Sequence, residues 1–122
     1  MKTRKPRKTN PRISALVKKL NAVSKAQKAE IWKTAARTLE SPLQNWAEVN
    51  LDKLSHLTKS NEVVLVIGKV LGAGELKHPL EVYSFNSSAT ARKIIHSAKG
   101  KIGTIEELIE KNPKGTKVRL IK

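Results

Sequence analysis

Residues 63–76 read VVLVIGKVLGAGEL: five branched apolar residues in a row, followed by three glycines within seven positions. So short an apolar run, without alternation and bounded by turn residues, predicts a strand buried on both faces. A glycine-rich turn after such a strand can also cradle phosphate, so the two nucleotide fingerprints must be checked. Gly72 and Gly74 have the first spacing of G-x-G-x-x-G, but Lys77 stands at the third glycine. Gly68-Lys69 matches the G-K pair of a P-loop, but Val63 holds its first glycine position and Val70 replaces the Mg²⁺-binding hydroxyl. Neither motif is present. Gly68, Gly72 and Gly74 are read instead as structural bends that permit close backbone packing.

Downstream, PLEVYSF (79–85) predicts a second strand, with Leu80, Val82 and Ser84 on one face and Tyr83 and Phe85 on the other. NSSATARKIIHSAKG (86–100) predicts a helix capped by Ser87 or Ser88. Its apolar side is Ala91, Ile94, Ile95 and Ala98, and Gly100 makes the stop. GTIEELIEKNP (103–113) opens with a capping box, Thr104 with Glu107, and ends before Pro113. GTKVRLIK (115–122) turns at Gly115 and closes with a strand in which Val118 and Leu120 alternate with Lys117 and Arg119.

Upstream, WAEVNL (46–51) alternates as a short strand, and Leu51, Leu54 and Leu57 suggest two helical turns. Asn10 and Pro11 suit the N-cap and first position of a helix whose apolar face is Ile13, Leu16, Val17 and Leu20. A second capping box, Ser24 with Gln27, places the next helix start at Ser24. Ile31, Ala35 and Leu39 form its apolar face, Lys25, Lys28, Lys33 and Arg37 lie off it, and Ser41-Pro42 ends it. The expected fold is α/β. A flexible basic tail (1–10) precedes one globular domain (11–122), whose helical segment (11–41) leads into an irregular small mixed domain.

Charge then narrows the function. Twenty-five Lys and Arg oppose ten acids, for a net of +15. Six of the basic groups fall in MKTRKPRKTNPR (1–12), and no acid precedes Glu30. Residues 13–122 still carry a net of +9, so tail and body are both cationic. Such self-repulsion opposes compaction unless a polyanion neutralises it, and nucleic acid does so with release of condensed counterions. Anionic membrane would call for a basic amphipathic helix with bulky apolar anchors, which the sequence lacks.

Other classes have little to stand on. There is no cysteine, and no apolar run approaches the ~20 residues of a membrane-spanning helix. The basic N-terminus lacks the apolar segment of a signal peptide, so a soluble intracellular protein is expected. His56, His78 and His96 show no metal-ligand spacing. Glu106, Glu107 and Glu110 are placed to complement a helix dipole, and no serine sits in a G-x-S-x-G elbow. No catalytic residue, metal site, cofactor or small-molecule substrate is therefore assigned. Only four aromatics occur (Trp32, Trp46, Tyr83 and Phe85), too few for base-stacking platforms, and they are read as mainly core. Abundant cations with few aromatics suit folded RNA recognised through phosphate and shape. The alternative is a DNA-binding helix-turn-helix across residues 11–40.

Five segments carry a resemblance that bears on this choice. KTNPRISALVKKL (8–20), WAEVNLDKLSHL (46–57), VVLVIGKVLGAGEL (63–76), VYSFNSSATARKI (82–94) and NPKGTKVRLIK (112–122) run nearly end to end. Together they resemble the archaeal and eukaryotic large-ribosomal-subunit protein numbered eighteen, of the e type, a superfamily shared with bacterial large-subunit protein fifteen. The V-x-G-K-V-L-G-x-G-x-L run is its most specific signature, although many members have proline where this chain has Ile67. The short length is similar to the archaeal form. The resemblance implies an α/β fold with irregular ββα turns and a structural, rRNA-binding role in the large subunit of the cytoplasmic ribosome. It also implies neighbouring ribosomal proteins as partners. On that footing Lys2, Arg4, Lys5, Arg7, Lys8 and Arg12 are the expected phosphate ligands, followed by Lys18, Lys19, Lys69 and Lys77.

Overall fold

The computed structural model describes residues 11–41, 47–72, 74–115 and 117–121. In chain order the elements are α1 (Pro11–Gln27), α2 (Glu30–Glu40), β1 (Ala47–Asn50), α3 (Leu51–Leu57), β2 (Val63–Leu71), β3 (Glu81–Ser87), α4 (Ala89–Ser97), β4 (Lys101–Thr104), α5 (Ile105–Lys111) and β5 (Val118–Ile121). The α/β class expected from sequence is the one observed.

The VVLVIGKVL segment is the middle of the sheet. Along one edge β2 pairs with β3. Along the other, Val63–Val66 pair with β5 and Gly68–Leu71 pair with β1, so two short strands share that edge in succession. β4 adds outside β3, and every pairing is parallel. Among the described residues no helix lies between β2 and β3, which gives the ββα irregularity. Because β2 has neighbours on both edges and helices on both faces, its side chains are apolar in both directions.

Alternation along β2 builds two cores. Leu65 and Ile67 face α1, α2 and α5, where Leu16, Leu20, Trp32, Ala35, Ala36, Leu39, Ile105, Leu108 and Ile109 complete the packing. Val64, Val66 and Val70 face α3 and α4, against Leu51, Leu54, Ala91 and Ile95. β3 divides as its sequence foretells: Val82 joins the second core, and Tyr83 and Phe85 the first. Trp32 is fully buried, and its indole N–H donates to the Pro113 carbonyl at 2.7 Å, which removes the cost of burying that donor.

The local signals held at α4 and α5. Ser88 caps α4 by accepting from the Ala91 N–H, and Thr104 with Glu107 forms the expected capping box. Elsewhere the structure corrects the reading. The Ser24–Gln27 capping box is not used; α1 runs through it to Gln27, and the break comes at Lys28, with φ +54°. There the Ala29 N–H reaches back to the Ser24 carbonyl at 3.1 Å and closes the helix end. The left-handed residue after α4 is Lys99 (φ +67°) rather than Gly100. Gly100 is small for another reason: a methyl there would lie 2.4 Å from the Leu80 carbonyl oxygen. β3 starts two residues later than the expected stretch and runs to Ser87, Leu51 opens α3 rather than ending β1, and β4 had no counterpart in the sequence reading.

Candidate nucleic-acid interface

The ten expected phosphate ligands fare differently. Lys2, Arg4, Lys5, Arg7 and Lys8 lie outside the described residues. Arg12 stands in the first turn of α1, where the first core brings α1 against α5. Its Nε donates to one Glu106 oxygen at 2.9 Å and its Nη2 to the other at 3.1 Å, while the guanidinium lies 4.1 Å from the Phe85 ring centre. Its hydrogen bonds hold the Glu106 carboxyl below the usual carboxylate range against the opposing effect of burial. Arg12 is thus a tie between helices as well as a cation.

Lys18 and Lys19 are exposed on α1, and Lys19 Nζ is 3.6 Å from Glu110. Lys69 is the exposed residue of β2, in register with Glu48 and Asn86 toward the carboxyl ends of the strands. Lys77 is exposed before β3, at the opposite edge of the sheet, and its backbone N–H donates to Ser55 Oγ at 3.1 Å. The structure therefore separates Lys69 from Lys77. Of the three glycines, Gly68 (φ +154°) accompanies a register shift between Val66 and Lys69, so it sits at an irregularity inside β2 rather than at its end. Gly74 carries φ +86°, and a methyl there would lie 2.3 Å from Asp52 Cβ. Gly72 is constrained by contact alone, since its methyl would meet Thr90 at 2.7 Å.

In this parallel sheet the starts of β2, β3, β4 and β5 gather at one edge, while β1 begins farther along, beside Gly68. Here that amino edge is rich in lysine. Lys59 precedes β2, Lys77 precedes β3, Lys99 and Lys101 open β4, and Lys114 and Lys117 precede β5. The acids that begin β3 and adjoin β2 are already engaged. Glu81 accepts from Tyr83 Oη at 2.5 Å and from Lys111 Nζ at 3.0 Å, and chiefly the tyrosine bond holds its carboxyl below the ordinary range. Burial first, and then Glu81, pushes the Tyr83 phenol up. Glu62 accepts from the Lys59 N–H at 2.7 Å and from Arg119 at 3.3 Å. The α1–α2 elbow adjoins this edge, since a methyl at Gly115 would lie 2.7 Å from Ile31 Cγ2. A groove of about 490 Å³ opens at the elbow, lined by Asn21, Ser24, Lys25, Lys28, Glu30 and Lys33. No ion pair involves these three lysines among the described residues.

Sequence reasoning nominated only Lys77 of the amino-edge group. The missing signal was topological: lysines scattered from 59 to 117 become neighbours only once the strands are known to be parallel. At the carboxyl ends of β3 and β4, a second cleft of about 500 Å³ carries Arg12 and Arg92 but also Glu106 and Glu107, and so has no single sign. Among the described residues no group of three or more His, Asp or Glu could hold a metal ion, and no helix is long and apolar enough to cross a membrane.

Comparison with known proteins gives the surface a context. The family described as ribosomal protein 60S L18 and 50S L18e matches residues 1–122. The large ribosomal subunit protein eL18 of Methanoregula boonei is 42% identical over 98% of this chain and 99% of its own length. That of Methanococcus maripaludis is 44% identical over 93% and 94%, and that of Archaeoglobus fulgidus 41% over 94% and 98%.

Proposed function

The chain belongs to the ribosomal protein 60S L18 and 50S L18e family, and from that premise we infer that it is a structural constituent of the large subunit of the cytoplasmic ribosome, holding folded rRNA through phosphate contacts. The family's role is structural, and no residue here needs a catalytic assignment. The observation that carries the finer reading is the distribution of charge. The described residues hold 19 Lys and Arg against 10 acids, on helices, strands and turns alike, with five further cations in residues 1–10. Phosphate contacts fix position without reading bases, which suits a permanent place in an assembly. The buried state of Trp32 and Tyr83 agrees, because neither ring is free to stack on a base.

Lys18, Lys19, Lys69 and Lys77, with the basic groups of residues 1–12, are the proposed phosphate ligands, and neighbouring large-subunit proteins the proposed protein partners. Sedimentation of cell lysate through a sucrose gradient tests this. The protein is expected to travel with the large subunit and to be released by high salt. A light, free fraction at low salt would remove the proposal.

A further inference from the structure

Four residues other than glycine have left-handed backbone among the described residues, and three of them are lysines: Lys28 (φ +54°), Lys99 (φ +67°) and Lys117 (φ +62°). The fourth is Asn61, a residue type that tolerates this conformation. Two of the lysines occupy helix ends where glycine is the usual residue. Behind Lys28 the Ala29 N–H bonds the Ser24 carbonyl; at Lys99, its own N–H bonds His96 at 3.0 Å and the Gly100 N–H bonds Ile95 at 2.9 Å. A lysine at such a position strains the backbone relative to glycine, and its side chain supplies no packing in return. Lys28 and Lys99 are exposed, as is Lys117. None of the three forms an ion pair among the described residues.

All three belong to the amino edge of the sheet. Lys99 leads into β4 and Lys117 into β5, while Lys28 stands at the elbow whose Ile31 packs on Gly115. β5 and β4 are separated in the sheet by β2 and β3, so the two strand starts lie about 14 Å apart at a strand spacing of roughly 4.8 Å. Backbone strain retained at three turns of one surface marks that surface as functional rather than architectural. The geometry points to the amino edge as a docking surface for RNA backbone, with Lys28, Lys99 and Lys117 as phosphate ligands kept at the cost of stability. The inference rests on the rRNA-binding reading above and adds to it a surface and three residues.

The trade of stability against binding is directly testable. Full-length K28G/K99G/K117G should melt at the same or a higher temperature than the parent chain. It should bind large-subunit rRNA roughly one to two orders of magnitude more weakly near 0.1 M salt, and its log–log salt slope should be shallower by about two to three. K28N/K99N/K117N, which retains a side chain tolerant of left-handed backbone, should behave alike and guards against a glycine effect on folding. R37Q/K53Q/K93Q removes the same charge from helix faces elsewhere and should change the slope less. Parent-like slope and affinity in both turn variants overturns this inference while leaving the rRNA-binding function standing. An equal loss in the helix-face variant also overturns it, because net charge alone would then explain the effect. Absence of rRNA binding by the parent chain removes both readings.

Discussion

Arg12 and Glu106, 94 residues apart in sequence, are joined by two hydrogen bonds of 2.9 and 3.1 Å that fasten the start of α1 to the start of α5. Both side chains are about one-third exposed (35% and 34%), so the pair is worth about 1 kcal/mol rather than the larger figure of a buried one. Glu106→Gln is expected to lower the unfolding free energy, read from urea denaturation at neutral pH, by that amount. The Glu106 carboxyl titrates below its ordinary value of 4.5, so its contribution is complete above that value and is lost as pH falls through the depressed one. The gap between parent and variant should therefore be full at neutral pH and close as pH falls below 4.5 through that depressed value. A gap that persists under acid would show that the ion pair is not its source.

Tyr83 is the only tyrosine, so its phenolate absorbance reports one site. Burial and the bond to Glu81 raise its pKa above the ordinary 10.0. A proton held more tightly in the folded state means stability that is intact below 10 and declines as pH rises through the raised value. Lys111, also raised by Glu81, loses its contribution over the same alkaline range. Glu81→Gln should bring the Tyr83 midpoint down toward 10 in an ultraviolet titration. An unmoved midpoint would mean that burial alone sets it.

Gly74→Ala must place a side chain at φ +86° and 2.3 Å from Asp52 Cβ, for an expected loss of about 2–3 kcal/mol. Gly72→Ala has no backbone penalty but presses on Thr90 at 2.7 Å and on the Ala91 backbone nitrogen at 2.8 Å, at the start of α4. Its loss should be about 2 kcal/mol, since the helix cannot yield as a flexible side chain would. Denaturant unfolding of each variant measures both. Parent-like stability in either case would remove the structural role assigned to that glycine.

These experiments probe features of unequal legibility. The branched run of β2 and the caps at Ser88 and Thr104 were readable because each signal is local: apolar side chains on both faces, or a hydroxyl three residues before the backbone N–H that donates to it. The α1–α2 break was not, because lysine is an unfavourable residue for a left-handed helix end and the Ser24–Gln27 pattern offered a better one. β4 is four residues with a glycine inside, and it becomes a strand only because β3 lies alongside it. The amino-edge lysines were invisible for the same reason: adjacency across a parallel sheet is a tertiary fact. Arg12 was nominated for its charge, while its partnership with Glu106 and Phe85 depends on how α1 meets α5.

The most direct measurement is the affinity of the full-length chain for large-subunit rRNA between 50 and 200 mM salt. Six to ten phosphate contacts should cost roughly three to five decades of affinity across that range. An affinity that stays level across it would contradict recognition through phosphate.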